Sequence, residues 1–165
     1  VKSNIEKSYN GEFNIIIDEA TRGEVGSPNI PQTIINKISK CDIFIADVSI
    51  INNENDNERK VPNPNVMFEL GFAVARLGWN RITPLFNTEF GKVEDLPFDI
   101  DRHRMTTFKI HDDIKEDALK SKVASYSKEW TQYIQSILGE NPKKPVVIPK
   151  KLNKLEKERK IMVVD

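Results

Sequence analysis

The sequence predicts an α/β domain, a parallel sheet of four to five strands flanked by helices. Strand-like, β-branched runs alternate with helix-like stretches along residues 13–138, the alternation that joins parallel strands through crossover helices. The strand runs, such as Ile43-Phe44-Ile45-Ala46, are continuously apolar rather than alternating, as in strands covered on both faces. The 165 residues suffice for one domain with a real core and are too few for two.

Residues 13–17 (FNIII), bounded by Gly11 and Asp18, read as a buried strand. A loop over 18–28 holds Gly23, Gly26 and Ser27. Residues 29–40 carry Ile30, Ile34, Ile35 and Ile38 at near-helical spacing, an amphipathic helix. The next strand covers 41–46 and stops at Asp47, so the unit has the length of a right-handed parallel crossover. Residues 51–61 (INNENDNERKV) are polar and without period, a long loop of the kind that is commonly functional or mobile.

The best-punctuated helix follows. Asn63 suits the N-cap, Pro64 the first helical position and Gly78 the stop. Val66, Met67, Leu70, Ala73, Val74 and Leu77 cover so much of its circumference that it should be largely buried. Gly71 inside it costs about 1 kcal/mol relative to Ala, and its expected use is close helix–sheet packing, or else backbone approach to a ligand. Residues 81–86 (RITPLF) form another strand, with Pro84 favouring an edge or an irregular stretch. A connection over 87–104 leads to a strand at 105–110. A long helix at 117–138 then places Tyr126 and Trp130 in the core and ends at Gly139.

In a doubly wound sheet the first strand is central, yet the segment before Phe13 is too polar to supply it. The first strand is therefore expected to be missing from this chain, lying upstream of Val1, or else replaced by residues 160–164. A start at Val1 and an end inside the apolar run Ile161-Met162-Val163-Val164 likewise suggest an excerpt. The domain is expected over 1–140, with 141–165 a basic Pro/Lys-rich linker or the start of a following segment. That tail holds eight basic and three acidic residues, +5, leaving 17 basic and 22 acidic in 1–140, −5.

The zero net charge argues against direct nucleic-acid binding, which needs a basic face. One cysteine, Cys41, excludes an internal disulfide framework and a Cys-rich zinc module, and His103 and His111 lack zinc spacing, so no metal is expected. No apolar run approaches the ~18 residues of a membrane span and no signal peptide is present, so a cytoplasmic location away from membranes is the expectation.

Asp18, Asp47 and Ser49 stand at the carboxyl ends of predicted strands, where open α/β sheets bind ligands, although Asp and Ser also simply start loops. Glu69 interrupts the apolar string Val66-Met67-Phe68-Glu69-Leu70-Gly71-Phe72-Ala73, with Asn65 one turn earlier on the same face. It either meets a cavity at the ligand edge or faces solvent near the helix start, where the dipole favours it. The Gly23–Ser27 stretch could accept a phosphate on backbone N–H groups, but as a motif it is weak.

Ile45-Ala46-Asp47-Val48-Ser49, a variable loop, and then Pro62-Asn63-Pro64-Asn65-Val66-Met67-Phe68-Glu69-Leu70-Gly71-Phe72-Ala73 resemble bacterial TIR-like domains. These have a flavodoxin-like sheet related to that of the nucleoside 2-deoxyribosyltransferases. Gly26-Ser27-Pro28-Asn29-Ile30 and Asp95-Leu96-Pro97-Phe98-Asp99 support the resemblance, which covers roughly residues 13–110. It implies cleavage of the nicotinamide–ribose N-glycosidic bond of NAD, the substrate, with no further cofactor. Glu69 matches the essential glutamate. Asp47, Ser49, Asn63 and Asn65 would hold ribose or base, and Asp18 with Gly26 and Ser27 would line the mouth. The resemblance also implies an antiphage-defence effector that acts after homo-oligomeric assembly under a sensor domain or partner. Two other readings stay open: a non-catalytic nucleotide-binding or TIR–TIR interaction module, and a nucleoside or nucleotide deoxyribosyltransferase.

Overall fold

A computed structural model describes residues 16–18, 29–52 and 58–140. Its sheet holds strands Phe44–Asp47 (β1), Ile82–Asn87 (β2) and Thr106–Phe108 (β3), all parallel, in the order β1-β2-β3. The helices are Ile30–Lys40 (α1), Pro64–Leu77 (α2), Phe98–Asp101 (α3) and Glu116–Glu140 (α4). The predicted α/β class and parallel sheet are present, with three strands among the described residues.

Helix α2 begins and ends where its sequence dictates. The Asn63 side chain accepts the Asn65 N–H at 2.9 Å, Pro64 opens the helix, and Gly78 closes it at φ 79°. Helix α1 starts in the same way, the Asn29 side chain accepting the Gln32 N–H at 3.2 Å. The two helices pack on each other, and α2 also lies on β1 and β2. Leu70, Ala73 and Leu77 of α2 meet Ala46, Ile82 and Phe86 of the sheet in one core with Ile38 of α1. Each large side chain buried there contributes about 1.5–3 kcal/mol.

Strand β2 is central among the described strands, contrary to the edge position that Pro84 suggested. Val48 donates to the Leu85 carbonyl at 2.9 Å, so the backbone groups of Leu85 face β1 and those of Pro84 face β3. Pairing with β3 starts only at Leu85, opposite Thr106, so the missing N–H of Pro84 removes no ladder bond.

Other expectations are corrected. Ile16 and Ile17 are 79% and 48% exposed and lie in no strand, because no described strand pairs with them; residues 13–15 lie outside the described residues. Helix α2 buries one face only, and Phe68 on the other is 68% exposed. A Cβ on Gly71 would meet nothing within 4 Å among the described residues, so close packing does not explain this glycine. Tyr126 and Trp130 are half-buried rather than core; they dock α4 against Phe108 with edge-on ring contacts of 6.2 and 6.0 Å. Residues 141–165 lie outside the described residues.

Candidate functional site

The carboxyl ends of the strands are tied together by side chains. Asp47 closes β1, and its Oδ1 accepts both the Ser49 N–H at 3.0 Å and the Ser49 hydroxyl at 2.5 Å. The same hydroxyl accepts the N–H of Asn87, the last residue of β2, at 2.7 Å. The Asn87 side chain then reaches past β3: Nδ2 donates to the Ile110 carbonyl at 2.7 Å, and Oδ1 accepts the Ile110 and Glu89 N–H groups, each at 3.1 Å. One polar relay therefore runs from Asp47 through Ser49 and Asn87 to Ile110, along the ligand-binding edge of a parallel sheet.

The start of α2 is brought to that edge by the chain after β1. Ile50 forms an antiparallel bridge with Pro62, and the Ile51 N–H donates to the Val61 carbonyl at 3.0 Å. The Asn52 side chain closes the loop neck, accepting the Val61 N–H at 2.7 Å and donating to the Arg59 carbonyl at 2.8 Å. Asn63 thus follows directly on a residue paired with Ile50, while Ser49 directly precedes Ile50.

Glu69 lies in the second turn of α2, half-buried on the flank of the buried stripe formed by Leu70, Ala73 and Leu77. Among the described residues its carboxylate takes part in no hydrogen bond or ion pair. Burial without a compensating donor raises its pKa above the ordinary 4.5, because desolvation disfavours the charged form. Asn65 lies one turn earlier on the same flank and is exposed.

The structure brings Asp47 and Ser49 into direct contact and joins Asn63 to Asn65. Asp18 is exposed and forms an ion pair with Lys37 of α1 at 3.2 Å. Gly26 and Ser27 lie outside the described residues. Sequence reasoning missed Asn87, whose signal was a polar residue closing an apolar strand, two positions beyond the Leu85 that pairs with Asp47. It also missed Arg81, which is 1% exposed and donates from Nη1 to the Asp42 carbonyl at 3.1 Å, tying together the entries of β1 and β2.

Two concavities of ≈ 240 and ≈ 300 Å³ meet at Arg104 and Tyr133 and are lined by neither Asp47 nor Glu69. Among the described residues no group of three His, Cys, Asp or Glu side chains could hold a metal ion, and no helix is long and apolar enough to cross a membrane.

Residues 1–100, more than half of the chain, match the TIR domain of the CAP12/Pycsar effector protein. The chain belongs to this TIR-domain family. The match takes in β1, the whole of α2, and β2, and hence Asp47, Ser49, Asn63, Asn65, Glu69 and Asn87. No curated protein and no solved structure matches the chain. In this TIR domain, the string that resembles other TIR-like domains is the one that builds the capped, half-buried start of α2.

Proposed function

We propose that this TIR domain cleaves the nicotinamide–ribose N-glycosidic bond of NAD, with Glu69 as its catalytic carboxylate. The observation that carries the reading is the state of Glu69, a partly desolvated carboxylate without a hydrogen-bond partner among the described residues, on the helix that starts at the ligand-binding edge. A partly desolvated carboxylate inside the apolar string Val66–Ala73 suits a reaction that develops positive charge.

The chemistry fits a single carboxylate. The nicotinamide nitrogen of NAD already carries the positive charge, so the bond to ribose breaks with its electron pair going to nitrogen. Nicotinamide leaves neutral and needs no proton. The sugar is left as an oxocarbenium-like centre, which an anionic Glu69 stabilises or traps for attack by water. Partial burial strengthens that stabilisation, since water no longer screens the carboxylate fully. Asp47, Asn63 and Asn65 bring hydrogen-bonding groups for ribose or base to the same edge.

The family supports a role as a bacterial antiphage-defence effector. We place this domain in an assembly of several copies whose activity is released by a sensor domain or partner. The reading is tested with the full-length protein in its activated state, by chromatography of its products from NAD. Equal amounts of nicotinamide and an ADP-ribose product are expected. NAD bound without turnover would instead identify a binding module, and base exchange between deoxynucleosides a deoxyribosyltransferase.

A further inference from the structure

The resemblance to TIR-like domains implies that Ser49 touches substrate, but its hydroxyl is already committed. A serine hydroxyl has one proton and two lone pairs. The proton goes to Asp47 Oδ1 at 2.5 Å, in the short range of charge-assisted bonds, and a lone pair takes the Asn87 N–H at 2.7 Å. Ser49 therefore has no proton left to donate to a ligand.

Asp47 is in the complementary condition. Its Oδ1 is filled by two donors from Ser49, its Oδ2 has no hydrogen-bond partner among the described residues, and the residue is exposed. Rotating the carboxylate would break both Ser49 bonds together. The far end of the relay is equally fixed, because Asn87 is 5% exposed and held by three bonds to Glu89 and Ile110.

We propose that Ser49 is a positioning residue that, anchored by Asn87, fixes the Asp47 carboxylate so that Oδ2 accepts a hydrogen bond from a ribose hydroxyl of the substrate. This rests on the reading of the carboxyl edge as an NAD site. Ser49 then acts on binding only through Asp47, and the two residues behave as one unit. A serine that touched ligand itself, or merely supported the loop, would act independently of Asp47.

The test is a double-mutant cycle in the full-length protein carrying Glu69→Gln to prevent turnover. Binding is measured calorimetrically with NAD and with ADP-ribose, which keeps the ribose and lacks nicotinamide. Asp47→Ala is expected to weaken both ligands about tenfold, and Ser49→Ala about five- to tenfold. The double variant should bind within about twofold of Asp47→Ala alone, and Ser49→Thr, which keeps the hydroxyl, should restore binding. Multiplying losses in the double variant, unchanged binding by Ser49→Ala, or no binding of either ligand would overturn the proposal. Nicotinamide release is scored separately with Glu69 intact. A coupled cycle without release ends the glycohydrolase reading alone; release with an uncoupled cycle ends the positioning role alone.

Discussion

The carboxamide of Asn87 pairs with Ile110 as another peptide group would. Nδ2 donates to the Ile110 carbonyl at 2.7 Å while Oδ1 accepts the Ile110 N–H at 3.1 Å. The pairing extends the β2–β3 ladder by a side chain just where β3 has ended at Phe108. A third bond, from the Glu89 N–H, is satisfied by the same oxygen.

Removing that carboxamide leaves three backbone groups without their partner in a part-buried place. Asn87→Ala is therefore expected to destabilise the domain by about 2–4 kcal/mol. Equilibrium urea unfolding measures this, and a loss below about 0.5 kcal/mol would show that water replaces the carboxamide freely.

The two faces of α2 predict opposite tolerances. Leu70 is 2% exposed in the core, so Leu70→Ala should cost about 2–5 kcal/mol. Phe68, two positions earlier, is 68% exposed, so Phe68→Ala should stay within about 0.5 kcal/mol in the isolated domain. Thermal melts of the two variants side by side check the assignment.

Gly71 gives a related test. Among the described residues nothing lies within 4 Å of a Cβ placed on it, so Gly71→Ala has room for its methyl and gains helix propensity, an expected stabilisation of about 0.5–1 kcal/mol. A loss of stability would show that something packs on this position.

The raised pKa of Glu69 fixes a pH dependence. A carboxyl whose pKa is higher in the folded state stabilises the fold only while protonated. Its contribution is complete below the ordinary 4.5 and is lost as pH rises through the folded value. At neutral pH the charged form is the one held at a cost, so Glu69→Gln should melt at or above the temperature of the unsubstituted protein. Melting curves recorded from about pH 4 to about pH 8 should show the advantage of Glu69→Gln growing with pH.

Much of this was legible in the chain because local rules and tertiary packing agree. Asn63, Pro64 and Gly78 bound α2 by themselves, and Asp47 with Ser49 could be placed at the ligand edge from the end of an apolar run alone. Pro84 misled because its cost depends on which neighbour its nitrogen faces, and that is set by where β3 begins. Asn87 went unseen for the same reason: its partner is 23 residues away, and only the register of β2 on β3 brings them together. Ile16 and Ile17 show the limit of an apolar run as evidence, since a strand forms only against a partner. Glu69 could be singled out from its apolar neighbours, but only packing decided between solvent and the flank of the core.

If Glu69 performs the chemistry, nicotinamide release from NAD depends on its carboxylate. The full-length, activated protein and its Glu69→Gln variant are compared at equal concentration, with melting curves confirming that both are folded. Release by the variant should be at least about a hundredfold slower, the scale of losing an electrostatic stabiliser of the transition state. Release at the unsubstituted rate from folded Glu69→Gln would contradict that role.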